Sequence, residues 1–284
     1  MKILKTIIAS SIFSLYSISA LADTQTTKFL IFLENGKQAG EHVVQRDESG
    51  LIKVNFVFKD NGRGPELKEE IRLGSDGLVS EFKVTGTSTF GAPINESFRR
   101  EGKQAQWQST SEKGNKQIDG PALYIPLSSS FEIGSISIGA LAASANNQLP
   151  LLPTGTLSQT KIAELEVTNG EKKQKVQLLA QTGIGLSPSF MWATTGEKPR
   201  LFGVIVPGYM KALEEGWEKN ADAMAAMQKS AEAKVLNDWA KKLQHPLQGL
   251  TVIKNTRIFD SDKATVGAPS DVYVLRGRIA AILP

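Results

Sequence analysis

From residue 27 to about residue 111 the chain alternates apolar and polar positions in short runs, at 28–33, 40–45, 51–58, 67–73, 78–87, 94–99 and 104–108. In the run 51–58, Val54, Phe56 and Phe58 share one side, while Lys53 and Asn55 share the other. A period of two predicts strands buried on one face. The separators Asn35-Gly36, Ser49-Gly50, Asn61-Gly62, Ser75-Asp76-Gly77, Gly91 and Glu101-Gly102 are turn formers, so the runs predict a meander of antiparallel hairpins.

The middle reads differently. Residues 136–145 are small and apolar and predict a short helix, and the Leu149-Pro-Leu-Leu-Pro-Thr-Gly155 stretch predicts a turn. Runs at 162–167 and 176–179 predict another hairpin through Asn169-Gly170, and 186–192 predicts one more edge strand. From Gly208 the period lengthens. Met210, Leu213, Trp217, Ala221, Met224, Met227, Ala231, Val235, Trp239 and Leu243 recur at steps of three and four. They predict one amphipathic helix of about nine turns, ended by Pro246. Its Met-bearing stripe reads as core, with a partner-binding groove as the other reading. From Leu250 strand-like runs return.

The expected fold is mainly β. It has an antiparallel domain over 23–207, a long linking helix over 208–249 and new strands over 250–284. Its composition, 40% apolar and 22% charged over 284 residues, is that of a chain able to bury a core.

The first 22 residues change the expected compartment. Lys2 and Lys5 precede an apolar run over 7–18, and Ala20-Leu21-Ala22 supplies small residues before Asp23. That order predicts a cleaved signal peptide, with Ala20 and Ala22 at the recognition positions and Asp23 as the new N-terminus. The run is short for a membrane anchor, the competing reading. The expected protein is periplasmic or secreted, with no membrane contact after cleavage. Losing Lys2 and Lys5 without any acid lowers the net charge from +4 to +2. Lys and Glu are interspersed, as in Lys68-Glu69-Glu70, so no nucleic-acid partner is expected. The absence of cysteine excludes disulfides and thiolate metal sites.

Candidate chemistry is sparse. Asp60-Asn-Gly-Arg-Gly64 copies the Asp-x-Gly-x-Gly box of an ATPase superfamily, but it lies between strands and reads first as a Gly-rich hairpin turn. Gly183-Ile-Gly185 has no helix after it to hold a phosphate. The two histidines, His42 and His245, have no ligand-spaced neighbours and read as structural. Glu214-Glu215 and Asp260/Asp262 are paired by proximity alone. No catalytic, cofactor-binding or metal-binding residue is assigned. If the chain is instead a non-enzymatic binding module, Trp107, Phe190 and Trp192 are candidate contacts, with core packing as their other role.

Residues 250–284, "LTVIKNTRIFDSDKATVGAPSDVYVLRGRIAAILP", resemble the opening of metal-dependent amidohydrolases of the imidazolonepropionase and dihydroorotase type. The matching features are the strand at 250–253, Asn255, Phe259-Asp260, Asp271-Val272 and Gly277-Arg278-Ile279. The resemblance implies the first strands of a β-sandwich whose remainder follows a (β/α)8 barrel. It also implies C–N bond hydrolysis by a metal-bound hydroxide in a full-length homologue, with zinc or another divalent metal as cofactor. The family's ligands lie beyond these strands, so none carries over to this chain. On this reading the chain is the inactive N-terminal portion of an exported amidohydrolase. Its partners would be the missing barrel, or a second copy through exposed strand edges.

Overall fold

The structure, a computed structural model, describes residues 24–245, 247 and 249–284. Ala20, Ala22 and Asp23 lie outside the described residues. The chain divides into a first unit running to Lys229 and a second from Ser230 to Pro284.

The first unit is built on one sheet, with fifteen strands among the described residues. In chain order they are β1 (Gln25–Leu33), β2 (Gln38–Arg46), β3 (Leu51–Phe58), β4 (Glu66–Leu73), β5 (Val79–Thr87), β6 (Pro93–Glu101), β7 (Gln104–Gln108), β8 (Lys113–Gln117) and β9 (Leu123–Tyr124). The helix α1 (Glu132–Ala143) follows. Then come β10 (Gln148–Leu152), β11 (Thr156–Asn169), β12 (Lys172–Thr182), β13 (Ser189–Thr194), β14 (Leu201–Val206) and β15 (Met210–Glu214). The spatial order runs from β8 back to β1, then through β15 down to β9. Two meanders therefore join at the β1–β15 pair, where Ile31 lies opposite Ala212 and Leu33 opposite Met210. Every pairing is antiparallel except β9 with β10.

Alternation decides which side chains enter the core. In β3, Ile52, Val54, Phe56 and Phe58 are buried and the residues between them are not. One apolar cluster gathers side chains from β1 to β7 together with Ile118, Tyr124, Ile133 and Leu152. The sheet curls enough for β8 to approach the turn after β10, where Lys116 Nζ donates to the Pro153 carbonyl at 3.0 Å. Helix α1 is apolar nearly all round, with Ile133, Ile136, Ile138 and Leu141 buried, as suits a helix enclosed by the sheet.

The expected helix over 208–249 is corrected. Met210 and Leu213 lie on β15, which completes the sheet, and Trp217 sits in the following turn with its ring 5.5 Å from Phe202. Helix α2 (Ala221–Leu243) is a continuous helix, but only Met224 and Gln228 on it are buried. The segment expected as an edge strand is also corrected: β13 is internal, paired to β12 and β14.

The second unit holds the C-terminal part of α2 and a three-stranded antiparallel sheet of β16 (Leu250–Asp260), β17 (Thr265–Leu275) and β18 (Arg278–Leu283), with β17 central. Leu250, Ile253, Phe259, Val266, Leu275, Ile279, Ile282 and Leu283 on these strands are exposed.

Candidate functional site

The interior carries charge that alternation alone would not place there. One inward row across β2 to β6 reads Val44, Val54, Glu69, Val84, Glu96. Both carboxylates are 2% exposed. Glu96 accepts from Tyr124 Oη at 2.6 Å and from the backbone N–H groups of Leu127 and Ser128 at 3.0 and 3.1 Å. Glu69 accepts from the backbone N–H and the hydroxyl of Ser130. The two carboxylates thus hold the chain between β9 and α1. Its backbone donors to these carboxylates are buried or part-buried and need partners. Glu132, the first residue of α1, accepts from the Arg46 guanidinium.

Burial sets the titration of these groups. It pushes the Glu132 carboxyl up to about 7 against the pull of Arg46, and it raises Glu69 despite the Ser130 hydrogen bonds. His42, fully buried, is pushed down to about 3, first by burial and then by the charge of Arg46. Its ring lies 5.3 to 5.9 Å from Phe29, Phe56 and Phe131, and neither ring nitrogen has a hydrogen-bond partner. A neutral imidazole in an aromatic box and carboxylates filled by amide donors are structural groups. Glu69 borders a small hollow of about 260 Å³, but it is 2% exposed and its carboxylate is taken up by Ser130, so it is not free to exchange a proton with a substrate.

The residues singled out from the sequence are scattered. Asp60 and Arg63 exchange backbone hydrogen bonds in the β3–β4 connection, so the Asp60–Gly64 box is a hairpin turn. Gly64 is required there by close packing, because a Cβ would stand 1.9 Å from the Phe58 carbonyl oxygen. Gly183-Ile-Gly185 lies in the β12–β13 turn. Glu214 binds Arg200 through two hydrogen bonds while Glu215 faces Lys28, and Asp260 is held low by hydrogen bonds from Lys263. Trp192 is completely buried, with Nε1 donating to Gln228 Oε1 at 2.8 Å. Trp107 is buried against β8, where Gly114 leaves room for its indole, so both tryptophans are core. Among the described residues no group of three or more His, Asp or Glu side chains is placed to hold a metal.

The outer face of the same strands is different. A hollow of about 1050 Å³ lies across it, lined among others by Glu70, Arg72, Glu81, Lys83, Arg99, Gln106, Gln108, Lys113 and Asn115. Two outward rows build it. One reads Lys53, Glu70, Lys83, Ser97, Gln108, Lys113; the next reads Leu51, Arg72, Glu81, Arg99, Gln106, Asn115. At about 4.8 Å per strand, six strands give a groove roughly 24 Å long, perpendicular to the strands. A second hollow of about 260 Å³ adjoins it and adds Lys53 and Lys68. The main hollow has four cations (Arg72, Lys83, Arg99, Lys113) against two carboxylates (Glu70, Glu81). Glu81 stands 3.8 and 3.9 Å from Arg72 and Arg99, and Lys53, Lys68, Lys83 and Lys113 have no ion-pair partner among the described residues. The sequence reading missed this site. Its charges lie up to sixty residues apart and are brought together by cross-strand register alone.

No family model matches the chain, and no curated protein matches it. Among solved structures it is similar to a β-barrel-like protein of domain of unknown function DUF1849 from Brucella abortus. The two are 11% identical, with a TM-score of 0.40 over 68% of this chain and 96% of the other. The amidohydrolase reading of residues 250–284 is therefore corrected, and with it the hydrolase assignment. Neither sequence comparison matches such a family. The physical reason the strand pattern misled is its generality. Alternating apolar runs around Asn, Asp and Gly turns describe many antiparallel hairpins, and here β16 to β18 pair with one another.

Proposed function

We propose that the chain is a non-catalytic binding module acting outside the cytoplasm, and that its outer groove across β3–β8 holds an elongated anionic ligand. The observation that carries this reading is the surplus of cations without ion-pair partners along a groove open to solvent. Lys53, Lys83 and Lys113 share one row, separated by two and then three strands, roughly 10 and 14 Å. That is a spread row of charge suited to a linear polyanion rather than to one compact anion. Gln106, Gln108, Ser97 and Asn115 between them can donate to neutral polar groups of the same chain. The export reading rests on the leader pattern of residues 1–22, which supports a periplasmic or secreted location. A small acidic polysaccharide fits both compartment and groove better than nucleic acid, since the aromatic residues along the groove, Phe82, Phe98 and Trp107, are buried and present no ring for base stacking.

The test is calorimetric titration of the protein with oligogalacturonate and with neutral dextran at two salt concentrations. Binding of the acidic oligomer alone, weakened by salt and abolished in a Lys83→Gln/Lys113→Gln variant, is expected. Equal binding of both polymers, or none of either, would remove the proposal.

A further inference from the structure

A second site lies apart from the groove, at the hairpin tips. In antiparallel order the β1–β2, β3–β4, β5–β6, β12–β13 and β14–β15 turns all fall at one end of the sheet. Two adjoining hollows open there, of about 370 and 500 Å³. Asp60, Asn61 and Tyr209 line the first, and Lys59, Ser88 and Phe90 help to line the second. Arg63 and Thr89 line both.

Packing does not account for this set. Phe90 is 84% exposed at a turn tip, a position that any polar residue would fill at less cost in hydration. Tyr209 is steadied from behind by Phe58, edge to face at 5.7 Å, and remains 45% exposed. The side chains of Asp60 and Arg63 lie in the same turn, yet they form no ion pair with each other or with any described residue. Lys59 is occupied, donating to the Gly64 carbonyl and paired with Glu66. The glycines themselves argue nothing, since close packing explains Gly64.

We propose that these tips form a saccharide-binding site. Phe90 offers an apolar ring against which the C–H face of a pyranose can lie, the one surface of a sugar that water solvates poorly. Asp60 accepts from sugar hydroxyls, Asn61 both accepts and donates, and Arg63 donates from a rigid fork. A hydroxyl pair on adjacent ring carbons matches that alternation of acceptor and donor, whereas a bare anion would meet the Asp60 carboxylate. The site is independent of the outer groove and does not rest on it.

The experiment is a titration of the isotopically labelled full chain, read by amide chemical shifts. The probes are glucose, galactose, N-acetylglucosamine and its β1,4-linked dimer, with inorganic phosphate as the control. Saturable shifts centred on Gly62, Arg63, Thr89 and Gly91 with at least one sugar, and none with phosphate, are expected. Phe90→Ala and Arg63→Gln change exposed residues. Each should weaken binding by about tenfold while distant amides keep their positions. Lys172→Gln, exposed at the β11–β12 turn at the other end of the sheet, should leave the affinity unchanged. The inference is overturned if no sugar gives a saturable shift, if phosphate shifts the same amides, or if both tip variants bind as the parent does.

Discussion

Glu69 and Glu70 are neighbours in sequence and opposites in circumstance. Glu69 points inward on β4, is 2% exposed and accepts two hydrogen bonds from Ser130. Glu70 points outward into a solvated groove, with Lys53 and Lys83 on the adjoining strands. The same chemical group is a structural pin on one face of a sheet and part of a binding surface on the other. Among the described residues, every buried side-chain nitrogen or oxygen except those of His42 has a hydrogen-bond partner. The outer face tolerates cations without partners because water solvates them.

The largest effect expected from this contrast is on the inner face. Glu96→Ala strips partners from Tyr124, Leu127 and Ser128 at once, and should cost about 4 kcal/mol of unfolding free energy in urea denaturation. Glu70→Ala, two strands away on the other face, should change it by less than about 0.5 kcal/mol. Similar losses for the two would erase the distinction.

The next effect is a pH dependence. His42 falls from 6.5 to about 3 on folding, so the unfolded chain holds that proton more readily. Its contribution to stability is present above pH 6.5 and is lost as the pH falls toward 3. Glu132 rises from 4.5 to about 7, so its contribution is present below pH 4.5 and is lost as the pH rises toward 7. The two slopes oppose each other between pH 4.5 and 6.5 and leave a plateau, with the His42 loss uncovered below it. A His42→Leu variant should lack that acid-side loss, a difference of roughly 4 kcal/mol between pH 6.5 and 3. Parallel pH curves for parent and variant would show that His42 is not held neutral.

A smaller effect belongs to the seam between the faces. A Cβ at Gly114 would stand 2.4 Å from the Trp107 indole. Gly114→Ala should therefore cost about 1–3 kcal/mol and alter Trp fluorescence. Smallest of all, the Lys83→Gln/Lys113→Gln pair should leave stability within about 0.5 kcal/mol while removing oligogalacturonate binding. A stability loss as large as that of Glu96→Ala would mean that these lysines hold the fold instead.

Much of the meander is legible in the chain. The alternation over residues 51–58 and the Asn61-Gly62 and Asn169-Gly170 turns announce β3 and the flanking hairpins, because period-two burial and positive-φ turns are local requirements. The misreadings begin where local pattern is ambiguous. Met210 and Leu213 stand three apart and run in phase with the stripe of α2, so five strand residues pass for a first helical turn. Their pairing to β1, some 180 residues earlier, removes the ambiguity. Residues 250–284 failed differently. Their alternation announces β16, β17 and β18, but many hairpins satisfy the same pattern, so it identifies no family.

By itself, then, the sequence determined the strands, their turns and which side chains seek the core, since these follow from alternation and backbone conformation within a few residues. Only the tertiary structure decided that Glu69, Glu96 and Glu132 are enclosed while Lys53, Lys83 and Lys113 form one row, and that Asp60, Arg63, Phe90 and Tyr209 surround one opening. Register and curvature are agreements between strands distant in the chain, and no local pattern encodes them.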